Sequence, residues 1–404
     1  MQVASVNFRA IKKSVWLCYG FEFLLSLQFS SAVLVPFFTQ WAHLSYTQMY
    51  LIQSWFLLWV FLLEVPTGVI ADRFGKKTSL GLGALVGATG LLIYGLYPGF
   101  LPFLFAEFLV ALSVTLMSGA YEALLYDLLD AGELSHESKK VFGRSHSFRM
   151  TGMLLAAPIG GYIAAHTTLN VPLLMEAVTA LLAFVILLNI SEPKKNGRDI
   201  EVEHYLTIAK KGLSFLRSHA TTRTIAFQMA IVGVAGYFVI WLYQPLLGSI
   251  GVPIEHYGWF NVLLVGTQII IASNFGRIEK LFPSLQNYIT FTVLLVLIGF
   301  VLSAQAPSLI SILVFVTLTG GFALTHEKYM SAHINQWIPT EQRATVLSFV
   351  NMLQKIFIVV INPLVGMSID YSLKLGLFIV LAFVLLSFVG LLFLRLVRGG
   401  SYSL

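Results

Sequence analysis

Long apolar segments recur along the whole chain, and they constrain its fold more than any other feature. Each is at least about 20 residues long, the length that a helix needs to cross the hydrocarbon core of a bilayer. Hydrophobic residues make up 57% of the sequence and charged residues only 11%. A soluble domain, in which about a quarter of the residues are charged, does not bury that much apolar surface. The sequence therefore predicts an all-α integral membrane protein.

The apolar segments predict twelve transmembrane helices in two groups of six. The predicted spans are residues 14–38, 46–70, 78–97, 101–126, 145–166 and 171–190, then 222–247, 256–275, 285–304, 308–330, 343–368 and 374–396. If the N-terminus is cytoplasmic, all of the 25 Lys and Arg residues except Lys374 fall on the inner side or at inner helix ends. Because cytoplasmic loops carry the excess of basic residues, we expect a multi-pass protein with both termini in the cytoplasm. The expected location is the plasma membrane, which is the inner membrane if the source is bacterial.

One long loop divides the chain. It predicts an N-terminal six-helix bundle over residues 1–190, a cytoplasmic linker over residues 191–221 and a C-terminal six-helix bundle over residues 222–404. Apolar residues recur at helical spacing in the linker, at Tyr205, Leu206, Ala209, Leu213 and Leu216. This spacing predicts an amphipathic helix lying under the bundles, although an ordinary interdomain linker is equally compatible with the sequence.

The two halves repeat each other at an offset of 205 residues. PIGG at residues 158–161 aligns with PLVG at residues 363–366, and the same offset carries Glu122 onto Glu327. The repeat predicts two pseudo-symmetric bundles. Paired repeats with a site at their interface are a common plan among membrane transporters.

A glycine-rich basic motif lies in the loop between the second and third predicted spans. Residues 68–77 read GVIADRFGKK. They resemble the signature of the major facilitator superfamily, Gly-x-x-x-Asp-Arg-x-Gly-Arg/Lys-Arg/Lys. The matching positions are Gly68, Asp72, Arg73, Gly75, Lys76 and Lys77. The span count, the six-plus-six division and the central loop extend this resemblance over essentially the whole chain.

The resemblance implies that this loop is a conformational latch on the cytoplasmic side, which releases as the two halves rock. Glycine at positions 68 and 75 would allow a tight turn between two helices. Asp72 could accept hydrogen bonds from a neighbouring helix N-terminus. Arg73 could form a forked pair with a carboxylate, and Asp127 is its candidate partner by position.

The fifth predicted span carries a second, degenerate motif. Residues 152–161 read GMLLAAPIGG and resemble the antiporter signature of the same superfamily, but Ala157 stands where that signature has glycine. Pro158 can kink the helix, and Gly160 and Gly161 permit the close approach of another helix. The motif favours export by antiport.

Ionisable residues inside spans are functional candidates. Glu122 and Glu327 lie near the inner ends of the fourth and tenth spans, and bases follow on the fifth and eleventh spans. We therefore predict the pairs Glu122–Arg149 and Glu327–Lys355, with Lys328 and Asp127 as alternative partners. The pairs either neutralise charge for helix packing or exchange partners during transport.

Glu22, in the inner half of the first span, is the best single candidate for proton coupling, and Glu122 and Glu327 are further ones. No base lies near Glu22 in the sequence. An acid in an apolar setting can load and release protons near neutral pH. Glu107 and Glu176 lie near outer helix ends, where we expect them to contact water.

Polar and aromatic residues on three spans are candidates for a substrate cavity. They are Gln28, Tyr243, Gln244, Asn351 and Gln354. Aromatic rings with scattered amides suit an amphipathic organic solute. The aromatic residues of the seventh span are equally compatible with a belt at the membrane interface. By the family resemblance, the first, fourth, seventh and tenth helices line the central cavity, which places Glu22 beside it.

These observations predict a secondary active transporter that moves a small organic solute by alternating access, with proton-coupled efflux favoured. Proton-coupled or facilitative uptake of a small nutrient or metal chelate is the alternative, and a non-transporting receptor is a third possibility. The sequence lacks His-Glu-x-x-His, paired-aspartate, Gly-x-Ser-x-Gly and nucleotide-loop motifs, so we expect neither an enzyme nor an ATP-driven pump.

The expected partners are a small-molecule substrate, the lipid bilayer and protons as the coupling ion. The single cysteine, Cys18, excludes a disulfide within the chain and argues against a cysteine-ligated metal site. We expect no metal, no cofactor and no nucleic acid, and we expect a monomer.

Overall fold

The structure is a computed structural model that describes residues 8–193, 205–282, 284–335 and 338–397. Within these residues the chain is helical and contains no β-strand. The predicted all-α fold class is therefore confirmed. Helices are expected in a bilayer, because no water is available there to bind free backbone groups, and an α-helix satisfies them within one segment.

The first half of the chain contains eight α-helices within the described residues. They are α1 Phe8–Leu25, α2 Leu34–Pro36, α3 Tyr46–Phe74, α4 Lys76–Leu96, α5 Phe100–Met117, α6 Ala120–Ala131, α7 Ser138–His166 and α8 Val171–Leu188. A 3-10 turn at Phe29–Ala32 and a π turn at Phe37–Trp41 flank α2, and another 3-10 turn lies at Ser135–Glu137.

The second half contains nine more α-helices within the described residues. They are α9 Tyr205–Ser218, α10 Ala220–Ser249, α11 Tyr257–Ser273, α12 Phe275–Leu281, α13 Leu285–Gln305, α14 Leu309–Val314, α15 Gly321–Ile334, α16 Arg343–Tyr371 and α17 Leu373–Val397. A π turn at Phe315–Gly320 joins α14 to α15, and 3-10 turns lie at Ile254–His256 and Thr340–Gln342.

Every one of the twelve predicted spans coincides with one of these helices or with a run of them. Within the described residues, 8 helices are long and apolar enough to cross a membrane, and 10 spans result if each of two bent pairs is one span. The other two predicted spans coincide with α7, which begins with several basic residues, and with α17. The chain is thus a multi-pass membrane protein.

The described residues form two compact units. The first contains those in the ranges 1–37, 41–43 and 55–202, and the second contains those in the ranges 38–40, 44–54 and 203–404. Helix α3 is therefore shared, because its first turns group with the second unit and the remainder groups with the first.

The first predicted span is broken instead of continuous. Helix α1 ends at Leu25, and the segments Arg9–Ala32 and Leu34–Trp41 differ in direction by 65°. The hydroxyl of Ser26 donates to the carbonyl of Phe23. Such local side-chain bonds compete with helical ones, and Pro36 removes a further backbone donor just beyond the break.

Helix α7 packs closely against this break through glycines. A Cβ atom at Gly152 would overlap the hydroxyl of Ser26, and a Cβ atom at Gly160 would overlap the carbonyl of Phe29. The close helix approach predicted for Gly160 is therefore confirmed, and the neighbour is the first span. A glycine is required here because backbone, which cannot rotate away, fills the space.

Helix α9 lies in the predicted linker, and its buried face overlaps the predicted apolar stripe in part. Phe215 and Leu216 are buried, and a Cβ atom at Gly212 would contact the Phe349 side chain of α16 at 2.6 Å. Leu213, a member of the predicted stripe, is 41% exposed. Leu216, also a member of the predicted stripe, is buried as expected, and α9 packs on α16 through the face that contains Gly212.

We expect Gly160→Ala to destabilise the protein. The added methyl group must displace the Phe29 backbone, and overpacking of this kind costs about 1–3 kcal/mol. Gly143→Ala is the matched control, because Gly143 lies on the same helix and its Cβ would meet nothing within 4 Å. SDS-induced unfolding in mixed micelles measures both variants. Equal stability of the two variants would contradict the close contact at Gly160.

Candidate functional site

Three charged side chains from different helices of the first unit lie together inside the predicted membrane region. Arg149 of α7 forms an ion pair with Glu22 of α1, with 3.6 Å between Nη1 and Oε1. Glu122 of α6 lies close enough to repel the Glu22 carboxylate. Glu22 is 17% exposed and Arg149 is 54% exposed, so the pair is accessible from one side.

Buried aromatic residues beside these charges fix their positions. The Tyr121 hydroxyl donates to the Cys18 carbonyl and bonds the Ser145 hydroxyl, which ties α6 to α1 and α7. The rings of Phe148 and Tyr19 stack with centroids 5.3 Å apart. Tyr121 is buried and Phe148 is partly buried. Since successive residues differ by about 100° around a helix, this packing turns the following residues, Glu122 and Arg149, away from the packed face.

Arg149 has an ion-pair partner other than the one predicted. We predicted the pair Glu122–Arg149, but the ion pair of Arg149 is with Glu22, and Glu122 is an exposed neighbour. No base lies near Glu22 in the sequence, and the base that pairs with it, Arg149, comes from a distant helix. Sequence position gives the depth of a residue in the bilayer but not the direction in which its side chain points.

The second unit holds a related but weaker arrangement. The Glu327 carboxylate on α15 is half-buried and is attracted by Lys328 and, less strongly, by Lys355 of α16. Beside it, His326 is fully buried and stacks on the Tyr288 ring at 5.5 Å. Within the described residues, neither nitrogen of His326 has a hydrogen-bond partner.

The motif at residues 68–77 ties three helix ends of the first unit together. The Lys76 ammonium lies 3.0 Å from the Asp127 carboxylate of α6, which is 6% exposed. The Lys76 backbone N–H donates to Glu192 at 2.7 Å. The Lys77 ammonium donates to the carbonyls of Leu188 and Ile190, just at and beyond the end of α8. A basic residue at a helix C-terminus satisfies carbonyls that have no helical partner.

The details of this motif differ from the prediction in two respects. The partner of Asp127 is Lys76, whereas we predicted Arg73, and both Asp72 and Arg73 are exposed. The turn occurs at Gly75, whose φ of +92° favours glycine, but Gly68 lies inside α3 with no atom near its Cβ position. The tight turn predicted at Gly68 is therefore wrong.

Some of the predicted cavity residues are exposed and others are buried. Gln28 and Asn351 are exposed, whereas Tyr243 and Gln244 are buried in α10. The Gln244 amide donates to the Tyr243 hydroxyl at 3.1 Å, and Asn261 also bonds that hydroxyl. In this structure the Tyr243 hydroxyl therefore links α10 to α11 inside the packed unit.

The remaining cavity candidate, Gln354, lies against a glycine. A Cβ atom at Gly233 of α10 would be 2.6 Å from its amide group. The side chain of Gln354 is half-buried, so it belongs to the contact between α10 and α16.

Two acids near outer helix ends have partners that the sequence did not reveal. Glu107 is buried and accepts a hydrogen bond from the Tyr94 hydroxyl. Glu176 accepts the backbone N–H of Ser30, at the break of the first span. The expectation that both acids contact water was wrong for Glu107. A buried tyrosine thirteen residues away on the preceding helix was the available signal, but hydropathy alone cannot align the two residues.

The start of α3 is fastened to the end of α16 within the second unit, and sequence analysis missed this contact. The Asp370 carboxylate accepts the backbone N–H of Tyr46 at 2.7 Å, the N–H of Thr47 at 3.0 Å and the Thr47 hydroxyl at 2.6 Å. A Cβ atom at Gly366 would lie 2.7 Å from the Thr47 Cα. We call these residues the α3–α16 clasp.

Comparison with known proteins decides the family. A model of the Major Facilitator Superfamily matches residues 15–326. The chain belongs to this superfamily. The predicted family is therefore confirmed, and the membership supports membrane transport.

Two members from Bacillus subtilis (strain 168) are similar in sequence to this superfamily protein. One is Multidrug resistance protein 2, which is 27% identical over 183 residues, 45% of this chain and 44% of the relative. The other is the uncharacterized MFS-type transporter YxaM, which is 23% identical over 237 residues, 54% of each chain. The matches span about half the length of these relatives.

The fold of this superfamily member is also similar to a solved structure. A mutant of the nucleoside transporter NupG superposes with a TM-score of 0.80, covering 95% of this chain and 99% of that chain at 11% sequence identity. The likeness establishes a shared fold.

We expect the Lys76–Asp127 ion pair to stabilise the first unit. Lys76→Ala and Asp127→Ala should each lower the free energy of unfolding by about 1–3 kcal/mol, because each leaves a buried or half-buried charge without its partner. The double variant should lose less than the sum, by about 1 kcal/mol. Lys139→Ala, at an exposed position, serves as the control and should add to Asp127→Ala without coupling. Additive losses for Lys76 and Asp127 would contradict a direct pair.

We expect Asp370→Ala to loosen the start of α3. Hydrogen–deuterium exchange in peptides covering residues 44–54 should rise about fivefold, since losing a helix cap costs about 1 kcal/mol. Ser368→Ala is the control, because the Ser368 hydroxyl bonds only a carbonyl of its own helix. Equal exchange in the two variants would show that the clasp contributes nothing.

Proposed function

We propose that this protein is a secondary active transporter that moves a small organic solute by alternating access and couples the movement to protons, with efflux by antiport as the direction. The observation that carries the proposal is the ion pair between Glu22 and Arg149, with Glu122 beside it. Charged side chains inside spans are costly and mark substrate or proton paths.

The charge balance of this cluster suggests its chemistry. Two carboxylates, Glu22 and Glu122, face one guanidinium, that of Arg149, so one negative charge is uncompensated when all three are ionised. Like charges at one site favour the uptake of a proton. The same charge can instead be compensated by a cationic group of a solute. A proton and an organic cation then compete for one site, and such competition is the basis of exchange.

Similarity in sequence to Multidrug resistance protein 2 supports drug-like organic molecules as solutes. Amphipathic cations combine an apolar body with a positive charge, and aromatic walls with a few polar groups suit them. Phe148, which precedes Arg149 and is only partly buried, supplies an aromatic ring next to the cluster. This supports an amphipathic organic cation as the exported solute.

Two further contacts support alternating access. The α3–α16 clasp joins residues that are more than 300 positions apart in the chain. With the N-terminus in the cytoplasm it lies on the outer side, where it must separate for the outer end of a path to open. The motif at residues 68–77 lies at the opposite end of α3, where it joins α4, and would release on the inner side.

Uptake of a small anionic nutrient is the second candidate function. Lys355 lies beside Glu327 in the second unit, and it could hold a single carboxylate of a solute when a proton neutralises Glu327. The structural likeness to a nucleoside transporter is compatible with uptake of a small nutrient as well. In this case protons and solute would move in the same direction.

The proposal predicts proton movement that depends on Glu22. In proteoliposomes with a trapped pH-sensitive dye, ethidium entering down its gradient should drive proton efflux, whereas uridine and a monocarboxylate should not. Glu22→Gln should lower this coupled flux by about tenfold or more, because an amide cannot carry a proton. Asp130→Asn is the control, since Asp130 is exposed at the end of α6.

Each outcome of this experiment decides something. Coupled flux that persists in Glu22→Gln would exclude Glu22 as the essential proton carrier. Proton influx together with a monocarboxylate would support uptake over efflux. Solute binding without any flux would support a non-transporting receptor and overturn the proposal.

A further inference from the structure

The break in the first span leaves one backbone donor that only another helix can satisfy. In a continuous helix the Ser30 N–H would donate to the carbonyl of Ser26, but Gln28 donates to that carbonyl instead. The Ser30 N–H donates to the Glu176 carboxylate of α8 at 2.5 Å. The Ser30 hydroxyl bonds the same carboxylate. Glu176 therefore takes the place of the missing helical acceptor.

No cation balances Glu176 within the described residues. Within the same residues, the Glu176 carboxylate interacts with Ser30. Helix α8 packs against α1, α4 and α7. Among the titratable groups of these helices, Lys77 binds carbonyls at the far end of α8, and the exposed His166 stacks on Tyr162. Glu22 pairs with Arg149, and Tyr94 donates to Glu107. Glu176 thus differs from Glu22, because its negative charge is held by hydrogen bonds alone.

The two sides of the break differ in their packing. On one side, Gly152 and Gly160 of α7 lie directly against Ser26 and Phe29 and leave no space. On the other side lies an apolar groove of about 290 Å³, lined by Phe29 and by residues of α8, namely Val171, Leu174, Met175, Val178 and Thr179. The break can therefore move toward α8 but not toward α7.

We propose that the Glu176 carboxylate holds the broken first span in place until it is protonated, and that Glu176 is thereby a positioning residue for transport. We call this carboxylate and its bonds to Ser30 the fastener. The ionised carboxylate holds Ser30 and keeps the break in place. When a proton adds to the carboxylate oxygen that accepts the Ser30 N–H, the neutral acid becomes a weaker acceptor. Ser30 is then released, and Phe29–Ala32 shift into the groove. The step forms the O–H bond of the neutral acid and breaks one O–H bond of a hydronium ion, which leaves as water.

The role of this movement rests on the proposed transport function. Gln28 and Glu22 lie on either side of Ser26, so a shift of the break changes the position of Gln28 relative to the Glu22–Arg149 pair. Protonation of Glu176 would thereby link the external pH to the geometry of the candidate site. The fastener itself is a property of the fold and can be tested without any solute.

Hydrogen–deuterium exchange of the full chain in nanodiscs tests the fastener. Exchange in peptides covering residues 26–36 is measured from pH 5 to pH 9 and corrected with an unstructured peptide of the same sequence. In the unmodified protein, corrected exchange should rise by at least about tenfold as the pH falls. This is the factor expected from losing a hydrogen bond to a charged acceptor. In Glu176→Gln, which keeps an acceptor but cannot ionise, exchange should not change with pH.

Two further variants keep the test decisive. Glu107→Gln makes the same chemical change in another buried acid and should retain the pH-dependent step. Glu176→Asp shortens the side chain beyond reach of Ser30, so its exchange should be high at every pH. A flat profile in the unmodified protein, or a pH step that survives in Glu176→Gln, would overturn the proposal.

A transport measurement separates this proposal from the proposed function. If exchange follows Glu176 but no solute moves in proteoliposomes, the fastener stands and the transport proposal fails. If ethidium flux depends on Glu22 but exchange is independent of Glu176, the fastener fails alone. If both hold, Glu176→Gln should flatten the pH profile of coupled flux while retaining its rate at low pH.

Discussion

Backbone groups that face lipid have no water to bind, so every end and break of a helix inside the bilayer needs a protein partner. This structure meets the requirement at the break of the first span, and it satisfies helix ends near the membrane surfaces in the same way, with side chains from distant helices. Glu176 accepts the free N–H of Ser30, Lys77 donates to the carbonyls at the end of α8, and Asp370 accepts the first N–H groups of α3. The contacts that complete the hydrogen bonding are therefore also the contacts that hold the helices to one another.

The same contacts concentrate charge where a transporter needs it. A carboxylate that is held by hydrogen bonds alone, such as that of Glu176, can lose its hold by gaining a proton. A carboxylate that pairs with a guanidinium, such as Glu22, can exchange its partner for a proton or a solute cation. One kind of side chain, the carboxylate, therefore responds to a proton in two different ways. The group that binds the carboxylate determines which response occurs. The proposed function uses the second response and the proposed fastener uses the first.

Hydropathy and charge distribution predicted much of this fold. The twelve apolar segments are all helical, because their length and composition reflect the thickness of the bilayer. Gly75 was identified as a turn and Gly160 as a close contact, since few other residues can serve there. The signature at residues 68–77 identified the superfamily. All these features depend on short stretches of sequence, which are directly visible in one chain.

The side-chain partners could be predicted only in part. Glu122, Arg149 and Glu22 were all recognised as intramembrane charges, but the pair was assigned to the wrong two. Depth follows from counting residues, whereas direction depends on how each helix is rotated by its neighbours. A rotation of α7 by one residue, about 100°, is enough to turn Arg149 from Glu122 toward Glu22. The break at Ser30 was missed for a related reason, because an apolar run containing serines remains apolar on average.

The division of α3 between the two compact units has a consequence for a protein that is expressed or cleaved as two fragments. A break of the polypeptide within residues 191–204 would leave an N-terminal fragment that still carries Tyr46 and Thr47. These residues bind Asp370 and pack on Gly366, which belong to the C-terminal fragment. The two fragments would therefore retain a non-covalent attachment through the start of α3. An intact linker is then not required for the two fragments to associate.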